Sequence, residues 1–316
     1  MAAAGMTCVF GWLPTLPGAR LTLVAYAVLG CAAVGAPAGQ RAAPASAPVP
    51  PGDSVWVVVE REAALGSDGV AAEVSRSALY GALADAVAQA GGAIVQSSSV
   101  AVRSDSGGGI HDAYVRSLHV EGRGIAIGWT VLSEGWRVRR TAGGAGVPTY
   151  AIRVRVLVRR ERDGPDPAFT ASLRLSSPTC VVRGPALTDG EEIQVAVAAS
   201  ADAKWIILSM ADDSVSILAP NGIEREVASE AGEWRAVPAD SLRAIGLRFR
   251  CSLDPSRSAS HESIIAVATR ALVAPPVAGE GARRKVGLEE FNRWLAAIPP
   301  RERSLATASL EVRKQP

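Results

Sequence analysis

Apolar and polar positions along this chain repeat with two different periods, and the changes of period divide it. Val55-Trp56-Val57-Val58-Val59-Glu60 reads as a strand. Spacing then becomes helical from Ala71 to Ala90, where Val74, Ala78, Ala82, Leu83, Ala86, Val87 and Ala90 recur mostly at three- and four-residue steps. Alanine at so many of these positions implies a helix lying close on a sheet, and Gly91-Gly92 stops it. Strands are predicted over Ile94–Val102, Gly124–Ser133 and Tyr150–Arg160, with a short helix over Asp112–Val120. In the last strand Ile152, Val154, Val156 and Val158 alternate with Arg153, Arg155 and Arg159, so one face is apolar and the other largely cationic. That cationic face is expected to be the solvated side of an outer strand, with an anion or lipid-headgroup site as the alternative.

Pro165-Asp166-Pro167 breaks the chain, and shorter apolar runs follow. Phe169–Leu175 alternates. Thr188–Pro220 reads as a meander: an Asp189-Gly190 turn, alternating Ile193, Val195, Val197 and Ala199, the apolar strand Trp205–Leu208, a turn at Ala211–Ser214, and Val215–Leu218 closing on Pro220-Asn221. Strands are also expected over Ala244–Phe249 and Ser263–Leu272. Short strands punctuated by Asp, Gly, Asn and Pro predict an antiparallel β-sandwich. In the tail, Leu288, Phe291, Trp294, Leu295 and Ile298 form the apolar stripe of a helix that Pro299-Pro300 ends. It is expected to pack on the sandwich, with partner docking as the alternative. Ser309–Val312 is a candidate last strand.

The pattern therefore predicts an α+β chain. A small α/β domain at 53–163 precedes a β-sandwich at 165–272, and 273–316 holds a linker, the amphipathic helix and a tail. Before them, 1–30 reads as a signal peptide and 31–52 as a lipidated cysteine with an Ala/Pro-rich tether. The apolar run Leu21–Gly30 is shorter than the roughly 20 residues of a spanning helix. It ends in Val28-Leu29-Gly30-Cys31, which looks like a lipobox. The competing reading is ordinary cleavage after Ala36-Pro37-Ala38, with Cys31 discarded. Ala32 is not an acidic retention signal, so the expected address is the periplasmic face of the outer membrane, or the periplasm.

Charge and cysteines narrow the classes. With 33 basic and 31 acidic residues the chain lacks the basic excess of a nucleic-acid binder. Apart from Cys8 and Cys31, the cysteines are Cys180 and Cys251, read either as a disulfide in an oxidising compartment or as two buried thiols. Neither has neighbours at metal-ligand spacing, so no metal and no cofactor is expected.

Two resemblances add to this reading. Ala82–Gly92, Val95–Val100, Gly124–Glu134 with its "VLSE" phrase, and Tyr150–Val158 resemble the N-terminal domain of the flagellar assembly protein T family and related small outer-membrane lipoproteins. Asp189-Gly190-Glu191, Trp205–Met210, Val215–Asn221 and Glu262–Thr269 look like a bacterial domain of unknown function with a "DGE", "LFPN" and "ES-I-x-V-x-A-T" pattern. In Leu218-Ala219-Pro220-Asn221 this chain departs from that family, which usually has Phe before the Pro. These resemblances imply an envelope lipoprotein with structural or adaptor roles, and they carry over no catalytic residues.

Candidate chemistry is thin. Ser260-His261-Glu262 are sequence neighbours on a predicted strand, where alternate residues face opposite ways, and no G-x-S-x-G elbow presents a nucleophile. His111 and His119 lie roughly 12 Å apart along a helix, too far to share one ion. Asp212-Asp213 reads as a turn. The expectation is a non-catalytic structural or adaptor protein of the envelope, held to the membrane by its lipid and working through an envelope protein partner, with no nucleic acid. A ligand- or glycan-binding sensor with a cleft between the two domains is the alternative.

Overall fold

The computed structural model describes residues 53–66, 71–91, 124–140, 144, 146–183, 189–211, 214–254, 257, 259–276 and 285–315. The described chain is mostly β, 53% strand and 19% helix, in several sheets, which places it in a sheet-rich α+β class. The strand and helix expected over Ile94–Val102 and Asp112–Val120 lie outside the described residues, as do Cys31, both histidines 111 and 119, and Asp212-Asp213.

The first sheet has three antiparallel strands, β1 (Ser54–Ala64), β2 (Gly124–Arg140) and β3 (Gly146–Arg160), with β3 in the middle. Helix α1 (Ala71–Ala90) covers one face, occupying the range its spacing predicts. Its Ala78, Ala82 and Ala86 are at most 1% exposed, which lets the helix lie close against Val154, Val156 and Val158. The β2–β3 hairpin runs seven residues past the strand end expected at Ser133. Arg153 and Arg155 lie on the open face as the alternation predicts, but β3 is the central strand and not the outer one expected, and Arg159 donates a hydrogen bond to the carbonyl of Ala296.

The remaining strands are β4 (Ala171–Leu175), β5 (Thr179–Arg183), β6 (Asp189–Gly190), β7 (Glu192–Ile193), β8 (Val195–Ala199), β9 (Ala203–Ala211), β10 (Ser214–Ala219), β11 (Ala228–Ser229), β12 (Arg235–Val237), β13 (Phe249–Arg250), β14 (Ala259–Thr269), β15 (Lys285–Gly287) and β16 (Arg303–Lys314). A large sheet runs β15-β10-β9-β14-β16-β5-β6, with β11 paired to β9; β5 and β16 are parallel. A small sheet runs β12-β8-β4.

This topology corrects the meander expected at Thr188–Pro220. β9 and β10 form an antiparallel hairpin, but β8 pairs with β4 and β12 instead of β9. The polar break Ser200-Ala201-Asp202 carries the chain from one sheet to the other, so Val195 and Val197 meet Trp205 and Ile207 across one apolar cluster. Nor does Asp189-Gly190 act as a turn: Gly190 sits in a short ladder against β5, where an added Cβ would lie 2.0 Å from the carbonyl oxygen of Cys251. Only glycine fits there. Asp240–Ala244, partly overlapping the strand expected at Ala244–Phe249, is a short helix, α2, with Asp240 in its first turn and Gly246 at φ 99° just beyond its end.

The apolar run at Trp205–Leu208 has a direct physical cause. Trp205 and Ile207 point into the cluster shared with the small sheet, whereas Ile206, Leu208 and Met210 point into a second cluster on the other face. β14 divides in the same way, with Ile264 and Ala266 on one side and Ile265 and Val267 on the other. A strand buried on both faces has no polar side to alternate with. The second cluster continues through helix α3 (Leu288–Ala297) into the core beneath α1. The tail is therefore interior structure: α3 lies between the large sheet and β2, and β16, much longer than the strand expected at Ser309–Val312, fills the place between β14 and β5.

Candidate functional site

Three local arrangements bring chemistry-bearing side chains together. The first is the pair Cys180 and Cys251, which the structure joins by a disulfide across 71 residues of sequence. Cys180 lies on β5, and the bridge fastens the segment after β13 to this strand of the large sheet.

The second is the seat of α3. Its apolar stripe Leu288, Phe291, Trp294, Leu295 and Ile298 is buried as the periodicity predicts. Its other side grips β2. A register shift between Ala126 and Gly128 turns two carbonyls out of the β2–β3 ladder. The Asn292 amide donates to the Ala126 oxygen at 2.8 Å and Arg293 Nε to the Ile127 oxygen at 3.1 Å. An added Cβ on Gly128 would stand 3.3 Å from Glu289 Oε1, a tight contact with the mobile end of that side chain.

Beyond its C-terminus, α3 meets a buried ion pair. Arg303 donates to the carbonyls of Leu295, at 2.7 Å, and Ile298, and its other nitrogen reaches Glu161; the two side chains are 4% and 5% exposed. A guanidinium among the last carbonyls of a helix also complements the helix dipole. Burial pushes the Glu161 carboxyl up against the opposing pull of Arg303 and Arg159, and burial pushes the Arg303 guanidinium down. A cavity of about 350 Å³ opens beside this pair, floored by Phe169 and rimmed by Asp166 and Pro300.

The third arrangement is on the surface. Of ten large hydrophobic side chains left exposed among the described residues, six lie on β1 and β2: Trp56, Val58, Val131, Leu132, Trp136 and Val138. Arg155 stacks over the Trp56 ring at 4.4 Å. At the far end of the hairpin a groove of about 290 Å³ is lined by Leu65, Ala71, Trp136, Arg137, Val138 and Pro148. Trp136 meets Tyr150 edge-on at 5.3 Å, and the Tyr150 hydroxyl donates to Glu134. Burial, and then the Glu134 carboxylate, push that phenol up to about 12.

The residues of the hydrolase motif do not converge. Glu262 is buried and accepts the Ser209 hydroxyl at 2.8 Å, while His261 points the other way, in register with Glu311 of β16. Glu224, also buried, receives the Ala239 N–H and Arg235, and burial holds its carboxyl above the usual range. Among the described residues no group of three or more His, Cys, Asp and Glu side chains is arranged to hold a metal ion. No helix among them is long and apolar enough to cross a membrane.

Two features escaped the sequence pattern: the α3 clamp on β2, and the exposed run beyond Ser133. The second left a signal, since Trp136-Arg137-Val138-Arg139 alternates apolar and basic. Compared with protein-family models and with curated proteins, the sequence matches none of them.

Proposed function

We propose that this chain is a non-catalytic lipoprotein of the cell envelope, anchored through Cys31 and acting as a structural or adaptor protein through protein–protein contacts. The observation that carries the adaptor reading is the run of exposed apolar side chains along one edge strand, Val131, Leu132, Trp136 and Val138 of β2. Scattered exposed hydrophobics are ordinary, whereas several along one strand mark an interaction surface. The buried acids Glu262, Glu224 and Glu161 each accept a hydrogen bond from a neighbouring donor, which is compatible with the same reading. Export draws support from the leader and from the Cys180–Cys251 bridge, which belongs to an oxidising compartment. The facing sheets around Trp205 and Val197 are read as a β-sandwich.

The test has two arms. Metabolic palmitate labels the wild-type chain and fails to label Cys31→Ser; an unlabelled wild type rules out the anchor. A photo-crosslinker at Trp136, installed in cells, gives discrete protein adducts that the same probe at exposed Ile245 does not; adducts at neither position defeat the adaptor reading.

The cavity beside Glu161 and Arg303 supports a second reading, a periplasmic sensor for a small ligand or glycan. It is weaker because the Arg303 guanidinium is already committed to Leu295, Ile298 and Glu161. A thermal-shift screen with sugars and small metabolites separates the two readings, since the adaptor predicts no stabilising hit.

A further inference from the structure

The adaptor surface contains one stretch with a definite recognition chemistry. From Ser133 to Arg140, β2 pairs with β3 without a register shift, from Ser133 opposite Arg153 to Arg140 opposite Gly146. Among the described residues β2 pairs with β3 alone, so its outer edge carries backbone groups with no strand beside them. The shift between Val131 and Ser133 closes the stretch at one end and the hairpin loop closes it at the other. Every residue in it except Gly135 is exposed.

Alternation sorts its side chains. Glu134, Trp136, Val138 and Arg140 share the face of Ile152 and Tyr150, and Arg137 and Arg139 share the opposite one. Trp136 is 44% exposed and Val138 72%. On the other face, among the described residues, Arg139 makes a long contact to Glu62, at 3.8 Å, with the two side chains 62% and 47% exposed. The whole sheet is biased the same way. Its three strands hold eight arginines and three glutamates, a net of five positive charges in a chain whose total is +2. Edge strands normally carry charge to repel uninvited strands. The positive excess here repels cationic strands and attracts anionic ones.

Resting on the adaptor reading above, we propose that Ser133–Arg140 accepts an extended, acidic segment of a partner protein by strand addition. The partner segment alternates apolar and acidic residues. Its apolar side chains lie against Trp136 and Val138, its carboxylates meet Arg137 and Arg139, and its backbone completes the ladder on the edge that no described strand covers.

The probe is a capped peptide of alternating glutamate and valine, as long as Ser133–Arg140, titrated into the full-length protein in mild detergent at low salt. Binding is expected to slow amide exchange between residues 133 and 140 and to weaken as salt rises. Arg137→Glu with Arg139→Glu is expected to weaken the glutamate–valine peptide by about ten-fold and to confer binding of a lysine–valine peptide. Both side chains are exposed, so the substitutions leave the core untouched, and an unchanged unfolding midpoint checks it. Equal binding of the two peptides to the wild type overturns the charge argument. No binding at millimolar peptide, with Trp136 adducts still formed in cells, overturns strand addition and leaves the adaptor reading standing. Absence of both peptide binding and adducts removes both.

Discussion

From Gly124 to Gly128, strand β2 is buried residue by residue; from Thr130 to Arg140, only Gly135 is not exposed. Both halves pair with the same neighbour, β3. What differs is α3. It lies against the first half, where Asn292 and Arg293 take up the carbonyls freed at the bulge, and it ends before the second. Composition follows cover: GIAIG is small and apolar, whereas TVLSEGWRVRR mixes large apolar with charged side chains. A strand's character is thus set by what stands beside it as much as by its own sheet. The covered half belongs to the core that unites the two ends of the chain, and the bare half is the surface assigned here to a partner.

The largest test of this contrast removes the support of α3. Arg303→Met leaves Glu161 buried without its counter-charge and frees the carbonyls of Leu295 and Ile298. A loss of about 3–5 kcal/mol is expected in urea unfolding. Adding Glu161→Leu should recover much of it, because the uncompensated charge goes too. A neutral single variant would mean that α3 is held by other contacts.

A smaller effect is expected from Asn292→Ala, which strips the buried Ala126 carbonyl of its donor. The cost is about 1–3 kcal/mol, with faster local exchange in the covered half and no change in the bare half. Equal loosening of both halves would erase the distinction between them.

Tyr150 and Glu134 sharpen the comparison at the start of the bare run. The folded phenol sits at about 12, above its ordinary 10, through burial and then Glu134. With the folded value raised, the neutral phenol's contribution to stability is complete below pH 10 and is lost as pH rises toward 12. Glu134→Gln should lower the Tyr150 titration midpoint, read from phenolate absorbance or NMR, yet leave it above 10 because burial persists. An unmoved midpoint would show that the hydroxyl does not contact Glu134 in solution.

The smallest expected effect is informative by its size. Val138→Ser should change unfolding free energy by no more than about 0.5 kcal/mol, since the side chain is 72% exposed. A large loss would mean that the bare half is covered in the free protein.

Local patterns were legible where one element decides them. The alanine face of α1, the stripe on α3 and the continuous apolar run of β9 follow from spacing alone, and each is buried accordingly. Asn221 also acts as its turn chemistry implies, accepting the N–H groups of Ile223 and Glu224. Choices between distant partners were not legible. Nothing near Val195 says that β8 joins the small sheet, and nothing near Ala126 announces a helix 166 residues later in the chain. The strand break expected at Ser133 failed for a related reason: serine, glutamate and glycine read as an ending when the pairing with β3 is out of view. Cys180 and Cys251 were visible as a pair, but the close approach of Gly190 that accompanies their bridge was not.

Residue-resolved amide hydrogen exchange along β2 of the free protein tests the two-environment account most directly. Amides in 124–128 are expected to exchange only as fast as the whole molecule opens, and every second amide in 133–140, facing the edge that no described strand covers, to exchange orders of magnitude faster. Uniformly slow exchange from Gly124 to Arg140 would show that the edge is already occupied. Fast exchange in the first half would show that α3 does not cover it. Either result would contradict the account.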